Sequence, residues 1–133
     1  MKITKIISAL AIVFALGTFQ SCSKDDATPS QTATSTEGNW RVSLYFDNSD
    51  ETYKFTGYTF TFNSNGTIAA TNGSNTVTGT WSQVSSKFNI DFGVTPVFSD
   101  QNDDWLIVEK TTTSIKLKDD NPARNEKLEF VKL

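Results

Sequence analysis

From Trp40 to the C-terminus, apolar and polar residues trade places in short runs broken by Gly, Asn and Ser. Trp40, Val42, Leu44 and Phe46 alternate with Arg41, Ser43 and Tyr45, which predicts a strand with one core face and one wet face. Tyr58, Phe60 and Phe62 do the same against Thr59 and Thr61. Ser64-Asn65-Gly66 then supplies a turn into Thr67 to Thr71, because Asn and Gly tolerate positive φ. Asn72-Gly73-Ser74-Asn75 predicts a second hairpin into Thr76 to Ser82, where Val77, Gly79 and Trp81 share a face. Phe88, Ile90 and Phe92 mark a fifth strand. Trp105 to Glu109 is a continuous apolar run, consistent with burial on both faces, which leaves its register open. Ile115 with Leu117, then Leu128 with Phe130, give the last two of eight strands.

The links between these runs are short, which implies antiparallel neighbours, since a parallel pair needs a long crossover. Only Val94 to Asp104 is long enough for a lid or a helical turn. The expected fold is therefore all-β: a small antiparallel eight-stranded meander barrel, closed on itself and without a large helix. A barrel of this size is either filled by its own side chains or holds one small ligand. Trp40, at the start of the first strand, is expected to plug one end, and Trp81 to pack inside. The other end is expected to be a shallow apolar cup lined by Leu44, Tyr58, Phe60, Ile90 and Trp105.

The first 37 residues follow a different pattern. Met1 to Lys5 is a short basic stretch and Ile6 to Gly17 an apolar run of about a dozen residues, too short to span a bilayer, which needs roughly 20. Phe19-Gln20-Ser21-Cys22 resembles the bacterial lipobox, in which a small residue precedes a Cys that becomes acylated. Residues 1–21 then read as a signal peptide and Cys22 as the site of lipidation; the competing reading is an ordinary secretory leader with an incidental Cys. Ser23-Lys24-Asp25-Asp26 looks like the acidic tag that follows the lipidated Cys of surface-exported Bacteroidota lipoproteins, against the plainer reading of a solvated spacer. Residues 27–37 hold no large apolar residue, so 22–37 is expected to be a disordered tether and 38–133 the folded domain.

Composition removes several classes of chemistry. Ten Phe, three Trp and three Tyr favour half-buried strands. Loss of Lys2 and Lys5 with the leader leaves 10 basic against 15 acidic residues, a formal charge of −5, with no phosphate-binding basic patch and no expectation of nucleic-acid binding. The chain has no His, the commonest general base and metal ligand, and its one Cys is Cys22. No cofactor, metal or enzymatic activity is expected. Asp100, Asn102 and Asp104 have the D-x-N-x-D spacing that opens a calcium loop. Trp105 stands where that loop needs Gly and Thr111 where it needs Glu, so the stretch reads as a solvated loop. Asp47 to Glu51 and Asp119 to Asn121 read as turns. Trp40, Trp81 and Trp105 are candidate sugar platforms, but two of them share faces with core residues.

Gly38-Asn39-Trp40 looks like the Gly-x-Trp that opens lipocalins. Gly38 to Leu133 is similar to the small lipocalin-like lipoproteins of Bacteroidota through its Phe-Asn-Ser-Asn-Gly-Thr hairpin, Gly79-Thr80-Trp81-Ser82 strand, Asp103-Asp104-Trp105 and Leu-Glu-Phe-Val-Lys ending. It lacks the lipocalins' Thr-Asp-Tyr motif and C-terminal helix. The resemblance implies a cup for a small apolar or amphipathic molecule; together with the lipobox-like Cys22 and the Ser23 to Asp26 tag, the expectation is a monomeric, non-catalytic barrel that is lipid-anchored in the outer membrane and faces the cell surface. The alternatives are a glycan- or protein-binding module using outward residues such as Tyr45 and Thr76 to Thr80, or a structural envelope component with no small ligand.

Overall fold

The strands that alternation predicts are the strands that form. The computed structural model describes residues 36–133; the leader 1–21, Cys22, the Ser23 to Asp26 tag and the tether up to residue 35 lie outside the described residues. The strands are β1 (Asn39–Asp47), β2 (Ser49–Asp50), β3 (Thr59–Phe62), β4 (Thr67–Asn72), β5 (Asn75–Val84), β6 (Lys87–Asp91), β7 (Asp103–Lys110), β8 (Ser114–Lys118) and β9 (Glu126–Lys132). All pairings are antiparallel. β1 pairs with β3, each strand from β3 to β8 with the next, and β9 returns to β1, closing an eight-stranded barrel. β2 is a two-residue flap on the end of β1, folded back through Asn48 at φ 55°. Among the described residues the sheet closes within residues 39–132 and the core lies within 40–130.

Two bulges depart from simple alternation. In β1, Val42 faces Phe130 and Leu44 faces Glu129, so Ser43 is an extra residue, and its hydroxyl donates to the Glu129 carbonyl at 3.2 Å. One extra residue moves every later side chain to the opposite face. Tyr45 therefore turns inward, 1% exposed, while Leu44 and Phe46 turn outward and are half-buried. This corrects two expectations: Leu44 does not face the interior, and Tyr45 is not an outward binding residue. In β7, Val108 is the extra residue between Ile107 and Glu109. Trp105 and Ile107 lie on the core side, while Val108 is 60% exposed, so the apolar run is not buried on both faces.

β1 and β3 pair over two residues only, Asn39 with Thr61 and Trp40 with Phe60. A 3-10 turn, Thr52–Phe55, sits beside the unpaired remainder of β1 and sends Phe55 inside, edge-on to Tyr45 at 5.3 Å and to Phe60 at 6.4 Å. A second 3-10 turn, Phe98–Gln101, occupies the long link that follows β6 and buries Phe98 against Phe55, Tyr58, Phe60 and Phe92. Gly79 makes room on the facing wall: a Cβ there would lie 2.4 Å from the Asp91 carbonyl oxygen and 2.8 Å from the Phe92 ring.

Candidate functional site at the capped end of the barrel

The expected cup is filled. Phe60, Ile90 and Trp105 are 0%, 2% and 0% exposed, and Phe55 and Phe98 occupy the space above them. Tyr58 is half-buried with its ring edge-on to Phe98 at 5.0 Å. Four of the five residues expected to line the cup thus come together as part of the core, and Leu44 stands outside it. The filling comes from two single turns of 3-10 helix: the second, Phe98–Gln101, lies in the Val94 to Asp104 link where the sequence allowed a lid or a helical turn, whereas nothing in the sequence marked the first, Thr52–Phe55.

The tryptophans are packed and hydrogen-bonded. Trp40 is fully buried at the opposite end, where its indole donates to the Thr36 carbonyl at 2.8 Å and the Lys132 ammonium lies 5.6 Å from its ring centre. Trp105 donates to the Gln101 carbonyl at 2.9 Å. Trp81 is half-buried, stacks on Phe88 with centroids 5.4 Å apart and donates to the Asn63 carbonyl at 2.9 Å. An indole held edge and face in this way presents no open platform to a sugar ring.

The D-x-N-x-D stretch does not converge on a common point. Asp100 accepts from Lys54 at 3.0 Å, Asn102 clamps the Phe92 amide and the Gly93 carbonyl at 2.7 Å each, and Asp104 pairs with Lys87 at 3.0 Å. The residue between them, Asp103, does find other acids. It lies two positions before inward-facing Trp105; Asp119 lies two past Leu117, and Glu126 two before Leu128. All three carboxylates therefore turn toward the barrel axis at the rim, each offering an oxygen within 4.8 Å of the others. Asp47, two past Tyr45 and paired with Glu126, points the same way.

Arg124, on the loop joining β8 to β9, covers this cluster. Its guanidinium lies 3.4 Å from Asp103, 3.2 Å from Asp119 and 3.0 Å from Glu126. Burial nonetheless pushes the Asp103 and Glu126 carboxyls above their ordinary pKa, because an arginine whose side chain is 54% exposed offsets only part of the lost hydration. The Tyr45 hydroxyl donates to the Asp100 carbonyl at 2.8 Å, and its pKa is raised by burial and then by Asp100, Asp47 and Glu126. The one signal in the sequence was acids placed one alternation step beyond the last core residue of a strand. It becomes readable only once the bulge at Ser43 and the barrel closure are known.

Outside the barrel, β3, β4 and β5 align threonines in rows: Thr59, Thr71 and Thr76; Thr61 and Thr78 about Ala69; Thr67 and Thr80. Thr71 and Thr76 share a hydrogen bond at 3.1 Å. This face carries no charge in those rows and leaves Thr76, Thr78 and Thr80 exposed.

No protein-family model matches the chain, and no curated protein matches it. The fold has a solved counterpart. A DUF4847 family protein from Bacteroides vulgatus superposes with a TM-score of 0.53 at 16% identity, over 72% of this chain and 92% of that one. At that identity the likeness shows the fold alone. It agrees with the Bacteroidota side of the resemblance, and the neighbour's name is not that of a lipocalin.

Proposed function

We propose that this chain is a lipid-anchored envelope protein whose barrel is a solid, non-catalytic scaffold that binds through its exterior. The observation that carries the reading is the pair Phe55 and Phe98, both nearly unexposed, in the space where a small apolar ligand would sit. Filling and holding compete for the interior of an eight-stranded barrel, and here the side chains fill it. That favours the surface-module reading over the internal-ligand reading that the lipocalin resemblance implies. The Thr-rich face of β3 to β5 is the candidate contact surface for a glycan or a protein. The absence of His, and of any Cys other than Cys22, supports the non-catalytic part of the reading.

Anchoring rests on the lipobox-like Phe19 to Cys22 stretch and a leader too short to span a bilayer. Native mass spectrometry of the mature chain released from membranes tests both halves at once. The expected mass is that of residues 22–133 with an acylated Cys22 and no companion. A co-purified small molecule released on denaturation would contradict the filled interior, and an unmodified Cys22 would contradict the anchor.

A further inference from the structure

We propose that the end of the barrel plugged by Trp40 docks on an anionic lipid surface, the leaflet to which Cys22 tethers the chain. The inference deepens the anchored reading above and rests on it. The described chain starts at this end, where the Trp40 indole donates to the Thr36 carbonyl at 2.8 Å. Residues 23–35 are all that separate Cys22 from Thr36, and fully extended they reach about 45 Å. The strands carry the capped end roughly 20–25 Å farther along the barrel axis, so a lipid on Cys22 holds the Trp40 end nearest the membrane.

Three apolar side chains are exposed around this end, Val84 at 68%, Val108 at 60% and Leu133 at 66%. Val84 closes β5. The Ile107 amide donates to the Ser86 carbonyl at 2.8 Å, which sets Val108 beside the turn that follows Val84, and the Leu133 amide donates to the Asn39 carbonyl at 2.9 Å at the start of β1. Cations ring the same mouth. Lys110 and Lys132 lie opposite inward-facing Ile115 and Trp40, so both turn toward the barrel axis at the rim. Lys110 donates to the Gln83 carboxamide oxygen at 2.6 Å, and the Lys132 ammonium lies 5.6 Å from the Trp40 ring centre. Arg41, next to Trp40, is exposed. Three loops here, 63–66, 85–86 and 111–113, hold no acid. The acids at this end among the described residues are Glu37 and Glu109, and Glu109 is paired with Lys116 at 3.2 Å.

Singly exposed apolar residues need no explanation, and the capped end also exposes some, Tyr53, Val94 and Val97. Those stand at the end that gathers Asp47, Asp91, Asp100, Asp103, Asp119 and Glu126, which an anionic leaflet repels. Apolar side chains together with cations are the combination that an anionic interface binds, and lysine stems let the ammonium reach headgroups from an apolar rim. Docked this way, the barrel keeps the Thr-rich rows of β3 to β5 on its flank and the acidic rim away from the lipid.

The experiment couples the mature chain through the Cys22 thiol to a maleimide phospholipid in phosphatidylglycerol nanodiscs that carry a nitroxide headgroup, and reads the broadening of its amide signals by NMR. Because the coupling is chemical, the outcome does not depend on acylation in the cell, and failure of the anchor is read separately in the mass of the membrane-released chain. Amides of Val84, Val108 and Leu133 are expected to broaden severalfold more than those of Tyr53, Val94 and Asp119. The difference is expected to shrink in about 1 M salt, where the Debye length is about 3 Å. Val84→Glu combined with Val108→Glu places acids at two exposed positions and is expected to abolish the difference with the Tm unchanged. Equal broadening at both ends, or stronger broadening at the capped end, would overturn the proposal. So would a difference that persists undiminished in the folded double variant, because the tether alone would then account for it.

Discussion

Trp40 and Gln101 show how differently a fully buried side chain can stand with its surroundings. Trp40 has apolar neighbours, including Phe62 edge-on at 6.4 Å, and a carbonyl for its indole N–H. Trp40→Ala should cost about 3–5 kcal/mol in urea unfolding, the usual range for a buried aromatic; a loss under about 1 kcal/mol would mean the ring is not packed. Gln101 is equally buried, but neither Oε1 nor Nε2 of its carboxamide has a protein partner. Gln101→Met keeps the length and removes the desolvated amide, so it should raise stability by about 1–3 kcal/mol. A loss of stability would place a bound water on the amide. Gln101 could not have been singled out from the sequence, because its burial comes from a 3-10 turn that no periodicity announces.

At the scale of elements, alternation located eight strands because Phe60 and Phe62, or Leu128 and Phe130, can reach the core only by lying two apart. It misplaced Leu44 and Tyr45 because nothing in Arg41-Val42-Ser43-Leu44 announces the extra residue at Ser43. The flip decided more than packing, since it also aimed Asp47 toward Glu126 at the rim and so hid the acidic cluster from the sequence. Gly79 is the opposite case, a strand residue whose reason lies in the adjacent strand β6. Gly79→Ala puts a methyl group into the Asp91 carbonyl and the Phe92 ring and should cost roughly 1–3 kcal/mol, the range for overpacking. Little or no change in the unfolding midpoint would show that β6 can move away.

For the whole molecule, residues 36–133 form a closed barrel plugged by its own aromatics. Cys22 precedes the described residues in the chain. Cys22→Ala should abolish membrane retention and metabolic labelling by an alkyne fatty acid while leaving the unfolding midpoint unchanged. Labelling that persists in the variant would show that Cys22 is not the acylated residue. The filled interior is the central claim, and the residue that fills the expected cup is Phe98. The direct measurement is titration of the mature chain with fluorescent fatty acids, retinoids and bile-salt-like amphiphiles, run in parallel on Phe98→Ala. The wild type should give no saturable binding, whereas a folded Phe98→Ala, with an apolar cavity where the ring was, should bind at least one small apolar probe. Saturable wild-type binding that is lost when Phe60 becomes Asp would contradict the account and return the ligand to the inside of the barrel.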